Sequence, residues 1–190
     1  STTKQQTSGG ADTAVKKQAS VTAKNFKKTY GCKAFSLGAS TDSDGVLQYS
    51  SDNISVASVS DRGKVSIKGC GRANITITAS ETSGYAQTSR TITVTVLPGQ
   101  LKLKKLYSPK RSQINIKWSK MNGATGYQYS ISSSKSFSKA PSFSSKKTSA
   151  KKKASGASGR RFYVRARAVV KISGKKYYGK WSKTRKVRVK

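Results

Sequence analysis

Catalysis and metal binding draw on a short list of side chains, and this chain is nearly bare of them. It contains no histidine, which removes the commonest general base near neutral pH and the commonest metal ligand. Its six carboxylates are Asp12, Asp42, Asp44, Asp52, Asp61 and Glu81. None follows Glu81, so no carboxylate pair can form in the C-terminal half. Cys32 and Cys70 lack the close spacing of a zinc site. No nucleophile elbow and no glycine-rich phosphate loop is present. Asp42-Ser43-Asp44-Gly45 holds the opening oxygens of a calcium loop without its terminal acid, and reads as a polar turn. The sequence therefore predicts a non-enzymatic chain with no catalytic residue, no cofactor and no metal.

What the chain does carry is positive charge. Of 190 residues, 39 are Lys or Arg against 6 Asp or Glu, a formal net charge of +33. Residues 1–98 hold 12 of the basic residues and all six acids; residues 99–190 hold 27 basic residues and no acid. Asymmetry of this size bears on partners rather than on fold. It points to anionic surroundings: wall polymers, polyanionic glycans, membrane head groups, an acidic protein or nucleic acid. Nucleic acid is disfavoured, because Trp118, Tyr127 and Tyr129 fall on core-facing positions and leave no stacking platform.

The elements that must position these charges are strands. Apolar residues recur at period two and rarely at three and four. Ser, Thr and Gly are abundant, which suits short strands joined by turns. RANITITAS (72–80) sets Ile75, Ile77 and Ala79 against Thr76, Thr78 and Ser80. TITVTV (91–96) does the same with Ile92, Val94 and Val96. DRG (61–63) reads as a tight turn with Gly63 at positive φ. Pro98-Gly99 breaks the pattern. Beyond it come LKLKKLY (101–107), INIKW (114–118), GYQYSIS (126–132) and RFYVRARAVV (161–170). KISGKKYYGKW (171–181) reads as a hairpin connection, with Tyr177, Tyr178 and Trp181 packed at the sheet edge. No run approaches the roughly 20 apolar residues of a membrane-spanning helix.

The predicted organisation is a disordered tail or linker at 1–18, a sandwich domain at 19–98 and a second at 99–190. The short junction would limit bending between the two. The chain ends on a strand-like run and is read as a segment of a longer protein. In RFYVRARAVV the inward set is Phe162, Val164, Ala166 and Ala168, so Arg161, Arg165 and Arg167 point outward. Val187 and Val189 likewise turn Lys186, Arg188 and Lys190 outward.

SDNISVASVSDRGKVSIKGCGRANITITAS (51–80) resembles the bacterial Ig-like domain, group 2, of intimin- and invasin-type surface proteins. The features that match are the SDN turn, Val56-Ala57-x-Val59, Gly63-Lys64-Val65, Lys68-Gly69-x-Gly71 and Ile75-Thr76-Ile77-Thr78. The resemblance extends over about 20–97. Residues 100–190 resemble a fibronectin type III domain, through Trp118, Gly123-Ala124-Thr125-Gly126-Tyr127, YVRARA (163–168) and GKWS (179–182). Phe162 replaces that family's corner tyrosine. Lys151 to Gly159 replaces its core-plugging leucine, so this stretch is expected to be loose. The fold implied is all-β, two tandem β-sandwich domains.

The fibronectin type III resemblance implies that the strands of 161–170 and 186–190 are neighbours. It thereby predicts a like-charged face of Arg161, Arg165, Arg167, Lys186, Arg188 and Lys190, with Lys151, Lys152, Lys153, Lys171, Lys175 and Lys176 in nearby loops. Cys32 and Cys70 each sit just before a strand, where a disulfide could form. It would close a loop of about 40 residues and add on the order of 3–4 kcal/mol; two buried thiols are the alternative. A disulfide would imply an oxidising, extracellular setting.

The function expected is an adhesion, binding and spacer module of a bacterial cell-surface or secreted protein. Its partner would be a host macromolecule: an immunoglobulin, a matrix protein or a glycan. Two alternatives stand beside it. One is charge-driven association with teichoic-type wall polymers or glycosaminoglycans. The other is an accessory role in a larger secreted enzyme. The segment is expected to be monomeric.

Overall fold

The computed structural model describes residues 15–190. Of the 1–18 tail expectation, residues 1–14 lie outside the described residues. Lys17–Gln18 already forms a strand, and Lys16 makes an ion pair with Glu81.

The first unit contains β1 (Lys17–Gln18), β2 (Val21–Thr22), β3 (Phe26–Thr29), β4 (Phe35–Ser36), β5 (Ser40–Thr41), β6 (Leu47–Ser51), β7 (Ala57–Val59), β8 (Lys64–Ile67), β9 (Gly71–Ala79), β10 (Tyr85–Ala86) and β11 (Thr88–Leu97). One sheet runs β3-β11-β9-β6 and the facing one β4-β8-β7, with the short pairs β1-β10 and β2-β5 at the margins. The alternation seen in sequence is the cause. Ala73, Ile75, Ile77 and Ala79 of β9 and Ile92, Val94 and Val96 of β11 are buried, in a register that sets Ile92 opposite Ile75 and Val94 opposite Ala73. The intervening threonines face away, and Thr76 and Thr91 bond across the strands at 3.1 Å. Each buried Ile or Val contributes about 1.5–3 kcal/mol. The 61–63 turn forms as expected, with Gly63 at φ +69°.

The second unit contains β12 (Leu103–Tyr107), β13 (Gln113–Trp118), β14 (Gly126–Ser132), β15 (Ser142–Ser145), β16 (Ser149–Lys153), β17 (Arg161–Ile172), β18 (Lys175–Tyr178) and β19 (Arg185–Arg188). Its first, second and fifth strands form β12-β13-β16; the other sheet runs β15-β14-β17-β18, and β19 also pairs with β17. This three-on-four partition, with the last strand split in two, is the arrangement of a fibronectin type III sandwich. Trp118 lies at its centre, 5.8 Å from the ring of Tyr127 and 5.8 Å from that of Tyr129. The chain is therefore all-β, two sandwiches in tandem.

The stretch expected to be loose is tied down instead. Residues 149–153 form a paired strand. Ala154 N–H donates to Ser112 and Gly159 N–H to Val189, both at 2.8 Å. Ala157 is buried, its N–H donating to the Ala154 carbonyl at 3.2 Å, and Ala154 packs against the second unit's core. Glycines at 156 and 159, both at positive φ, allow the tight turns on either side of Ala157.

The two cores meet at a built joint. Tyr30 packs against both. Cys70, only 3% exposed, closes the first unit's β8–β9 connection yet belongs to the second unit's core. Its N–H donates to the Asn122 carbonyl at 2.8 Å, and the Asn122 amide donates to Lys68 at 3.3 Å. Gly123 sits at φ +76°, and any Cβ there would run into the Cys70 backbone. Cys32 is exposed, and both thiols are free. This corrects the disulfide expectation: Cys70 is drawn into the joint as a small hydrophobe while Cys32 stays on a surface turn.

Candidate binding face

The outward face of β17 presents Arg161, Tyr163, Arg165 and Arg167 because the even-numbered residues fill the core. β18 pairs with one end of this long strand and β19 with the other. Between them, residues 179–184 bridge the gap. Ser182 is buried: its N–H donates to the Ala166 carbonyl at 2.7 Å, and its hydroxyl accepts the Ala166 N–H at 3.0 Å. That double bond to one residue fixes the neighbouring Trp181 over the sheet face.

The result is a ladder of stacked planes. The Trp181 ring lies 4.4 Å from both the Arg165 and Arg167 guanidinium carbons. Arg165 is capped by Phe137 at 4.1 Å, and Arg167 by Tyr178 at 4.4 Å. Each such contact is worth about 0.5–2 kcal/mol, more as it is desolvated. Arg167 also donates from Nε and Nη2 to Gln128 Oε1, at 3.0 and 2.7 Å. The Nε of Arg165 is buried without a hydrogen-bond partner. Burial between the rings pushes the Arg165 guanidinium below its ordinary pKa, with Arg167 adding repulsion; burial lowers Arg167 as well. The sequence reading put Trp181 and Tyr178 at the sheet edge. Tyr178 does lie on β18, the edge strand, and from there it and Trp181 hold two arginines flat; the outward pair Arg165, Arg167 is the signal in the sequence.

Around this ladder the register brings basic residues together, and Lys171, Lys175 and Lys176, expected in loops, lie on β17 and β18. Arg161 stands opposite Arg188 and Tyr163 opposite Lys186; Lys171 stands opposite Lys176. Lys190 is exposed at the end of the same unit, its N–H bonded to Ser108 Oγ at 3.0 Å. Lys175 stands opposite the buried Ile172, with its ammonium 5.7 Å from the Tyr177 ring. Three expected members lie elsewhere. Lys151, Lys152 and Lys153 belong to β16, on the opposite sheet, because Ile114 and Ile116 of β13 pair with that strand. They gather with Lys110 and Arg111 around a separate hollow, and Lys152 turns onto Phe143 at 3.9 Å. Residues that the sequence reading passed over join the face: Lys135 and Arg185 rim a hollow beside Arg161 and Lys186. Gln128 could have been found from parity, since Tyr127 and Tyr129 point inward.

The polar turn at 42–45 is ordered by the Ser20 N–H, which donates to Asp42 Oδ1 at 2.7 Å and holds that carboxyl below its usual pKa. Among the described residues no helix is long and apolar enough to cross a membrane.

The class these observations define is a tandem Ig-like and fibronectin type III-like sandwich with a basic face. Residues 38–81 match the family model described as intimin, immunoglobulin-like domain, so the resemblance read at 51–80 is borne out. No curated protein matches the chain. Solved structures similar to it include domains of titin, 12% identical over 88% of this chain and 65% of that one, with a TM-score of 0.35. The FN1–FN3 domains of chicken CNTN1 are 13% identical over 77% and 55%, with a TM-score of 0.39. An intimin mutant from EHEC O157:H7 is 26% identical over 46% and 51%, with a TM-score of 0.32. The chain spans less than two thirds of each of these. At such scores the fold assignment rests on the strand topology described above.

Proposed function

We propose that this chain is a non-catalytic adhesion and spacer segment of a bacterial surface or secreted protein, and that its second unit docks a host extracellular macromolecule through the β17 face. The observation that carries the reading is the intimin-type match at 38–81, joined to a sheet face whose charges are of one sign. The arginines of that face are held flat by Phe137, Trp181 and Tyr178. Immobilised guanidinium groups lose less side-chain entropy on binding than free ones. That favours a specific contact over a diffuse one. The built joint between the units supports a spacer role, because Cys70 and Tyr30 couple the two cores.

The test is binding to a panel of immunoglobulins, matrix proteins and anionic wall polymers at about 50 and about 500 mM salt. Retention of one host protein at high salt supports the adhesion reading. Binding of wall polymers alone, lost at high salt, supports charge-driven wall association and overturns it.

A further inference from the structure

A groove of about 560 Å³ lies across the outer face of the second unit, beside the arginine ladder. Its floor is β14 and β17; its walls come from β18 and the turn after β15. Lys146, Lys171 and Lys176 line it together with Tyr178, Gln128 and Ser144. All three lysines are exposed, and no acid exists anywhere in this half of the chain. Tyr178 is 46% exposed. Arg167 supports one face of its ring, so the ring is a fixed plane rather than a swinging side chain. Gln128 spends its carbonyl oxygen on Arg167, which leaves its amide N–H groups to donate to a ligand.

An amphipathic ring, neutral donors and three cations in an open groove form a recognition set for an anionic sugar chain. The ring covers the C–H face of a sugar, the amide and hydroxyl groups meet its hydroxyls, and the lysines meet sulfate or carboxylate groups. A nucleic acid strand would need successive stacking platforms, and the groove holds one exposed ring. Lys171 also lines a second hollow of about 600 Å³ at the joint, together with Lys68, Arg72 and Lys120. A chain longer than the groove would therefore meet further cations there, on the first unit as well as the second. The carboxylate nearest in sequence to that hollow, Asp52, is engaged by the N–H and amide of Asn74.

We infer that the Tyr178 groove is a binding site for an acidic oligosaccharide, which continues over Lys171 into the basic hollow between the two units. This rests on the adhesion reading and names a ligand class and a site for it.

The test is calorimetric titration of the 190-residue chain with a sulfated heparin-type octasaccharide, a uronate-only oligosaccharide, a neutral oligosaccharide and a single-stranded DNA of matching charge, at about 150 mM salt. Binding of the sulfated or the uronate chain is expected, and which of the two binds identifies the source of the anion. Tyr178→Ala should weaken that binding about tenfold, on the scale of one lost stacking contact, while Tyr178→Phe should keep it. The double variant Lys171→Ala/Lys176→Ala should weaken it about tenfold and lower the salt dependence by about two contacts. Lys151→Ala/Lys153→Ala, on the other sheet, should leave it within about twofold. Tighter binding of DNA, or equal losses in the β16 and groove variants with Tyr178→Ala unchanged, would overturn the site. A host protein retained while both acidic sugars fail would remove this inference and leave the adhesion reading standing.

Discussion

The backbone N–H of Cys70 donates to the carbonyl of Asn122 at 2.8 Å, and this bond, with that from the Asn122 amide to Lys68, ties the β8–β9 connection of one sandwich to the β13–β14 turn of the next. The Cys70 side chain then fills the second unit's core, 3% exposed. Gly123 makes the approach possible, since its backbone at φ +76° and its missing Cβ leave room for Cys70. Gly123→Ala should therefore destabilise the protein by more than the roughly 1 kcal/mol of an ordinary Gly→Ala change in the opposite sense. Equilibrium urea unfolding checks this, and an unchanged midpoint would show that the joint yields freely.

The thiols give a second expectation. Burial pushes the Cys70 pKa up to about 11 from an ordinary 9.0, so the folded state resists ionisation that the unfolded chain accepts. Stability tied to this group is full below pH 9 and is lost as pH rises towards 11. A thiol reagent at pH 8 should label Cys32 at once and Cys70 only when the protein opens. Intact mass without reductant should show two free thiols. A mass lower by two hydrogens would mean that Cys32 and Cys70 do pair.

The arginine ladder depends on Trp181, which stacks on Arg165 and Arg167 at 4.4 Å each. Trp181→Ala should cost about 1–3 kcal/mol, from two lost cation–π contacts and exposed sheet, and Trp181→Phe distinctly less. Ser182→Ala leaves the buried Ala166 N–H without its acceptor and should cost about 1–3 kcal/mol. Chemical denaturation reads both. If neither variant moves the midpoint, the ladder is ornamental to stability.

Arg161 and Arg188 face each other across β17 and β19, and like charges in that position are destabilising. Arg161→Glu should raise stability by about 0.2–1 kcal/mol, with the gain shrinking as salt screens the pair. Arg188 keeps its 2.8 Å bond to the Gly159 carbonyl in this variant. A loss of stability at low salt would show that the repulsion is relieved by other means.

The period-two patterns of 72–80, 91–96, 114–118 and 161–170 were legible because each strand has one dry face, and a one-residue slip would have buried Thr, Asn or Arg. The outward parity of Arg161, Arg165, Arg167, Lys186 and Arg188 followed from the same patterns. Two features were not legible. Lys151 to Lys153 carry no alternation, so their pairing with β13 comes from the partner strand's isoleucines. The free Cys70 was hidden because its fate depends on Asn122 and Gly123, more than 50 residues away, where no local pattern reaches. Trp181 lies between two strands rather than in one, and its role arises from the two bonds that Ser182 makes to Ala166.

The central claim is that the β17 face docks a specific host macromolecule. Its most direct test compares the wild-type chain with the variant Arg161→Ala/Lys186→Ala for binding to a panel of immobilised host proteins and wall polymers at about 500 mM salt, where exposed charges more than about 4 Å apart are largely screened. The account predicts that one host ligand stays bound by wild type and that the variant binds it at least about tenfold more weakly. A wild-type chain that releases every host ligand at that salt, and holds only wall polymers at low salt, would contradict it.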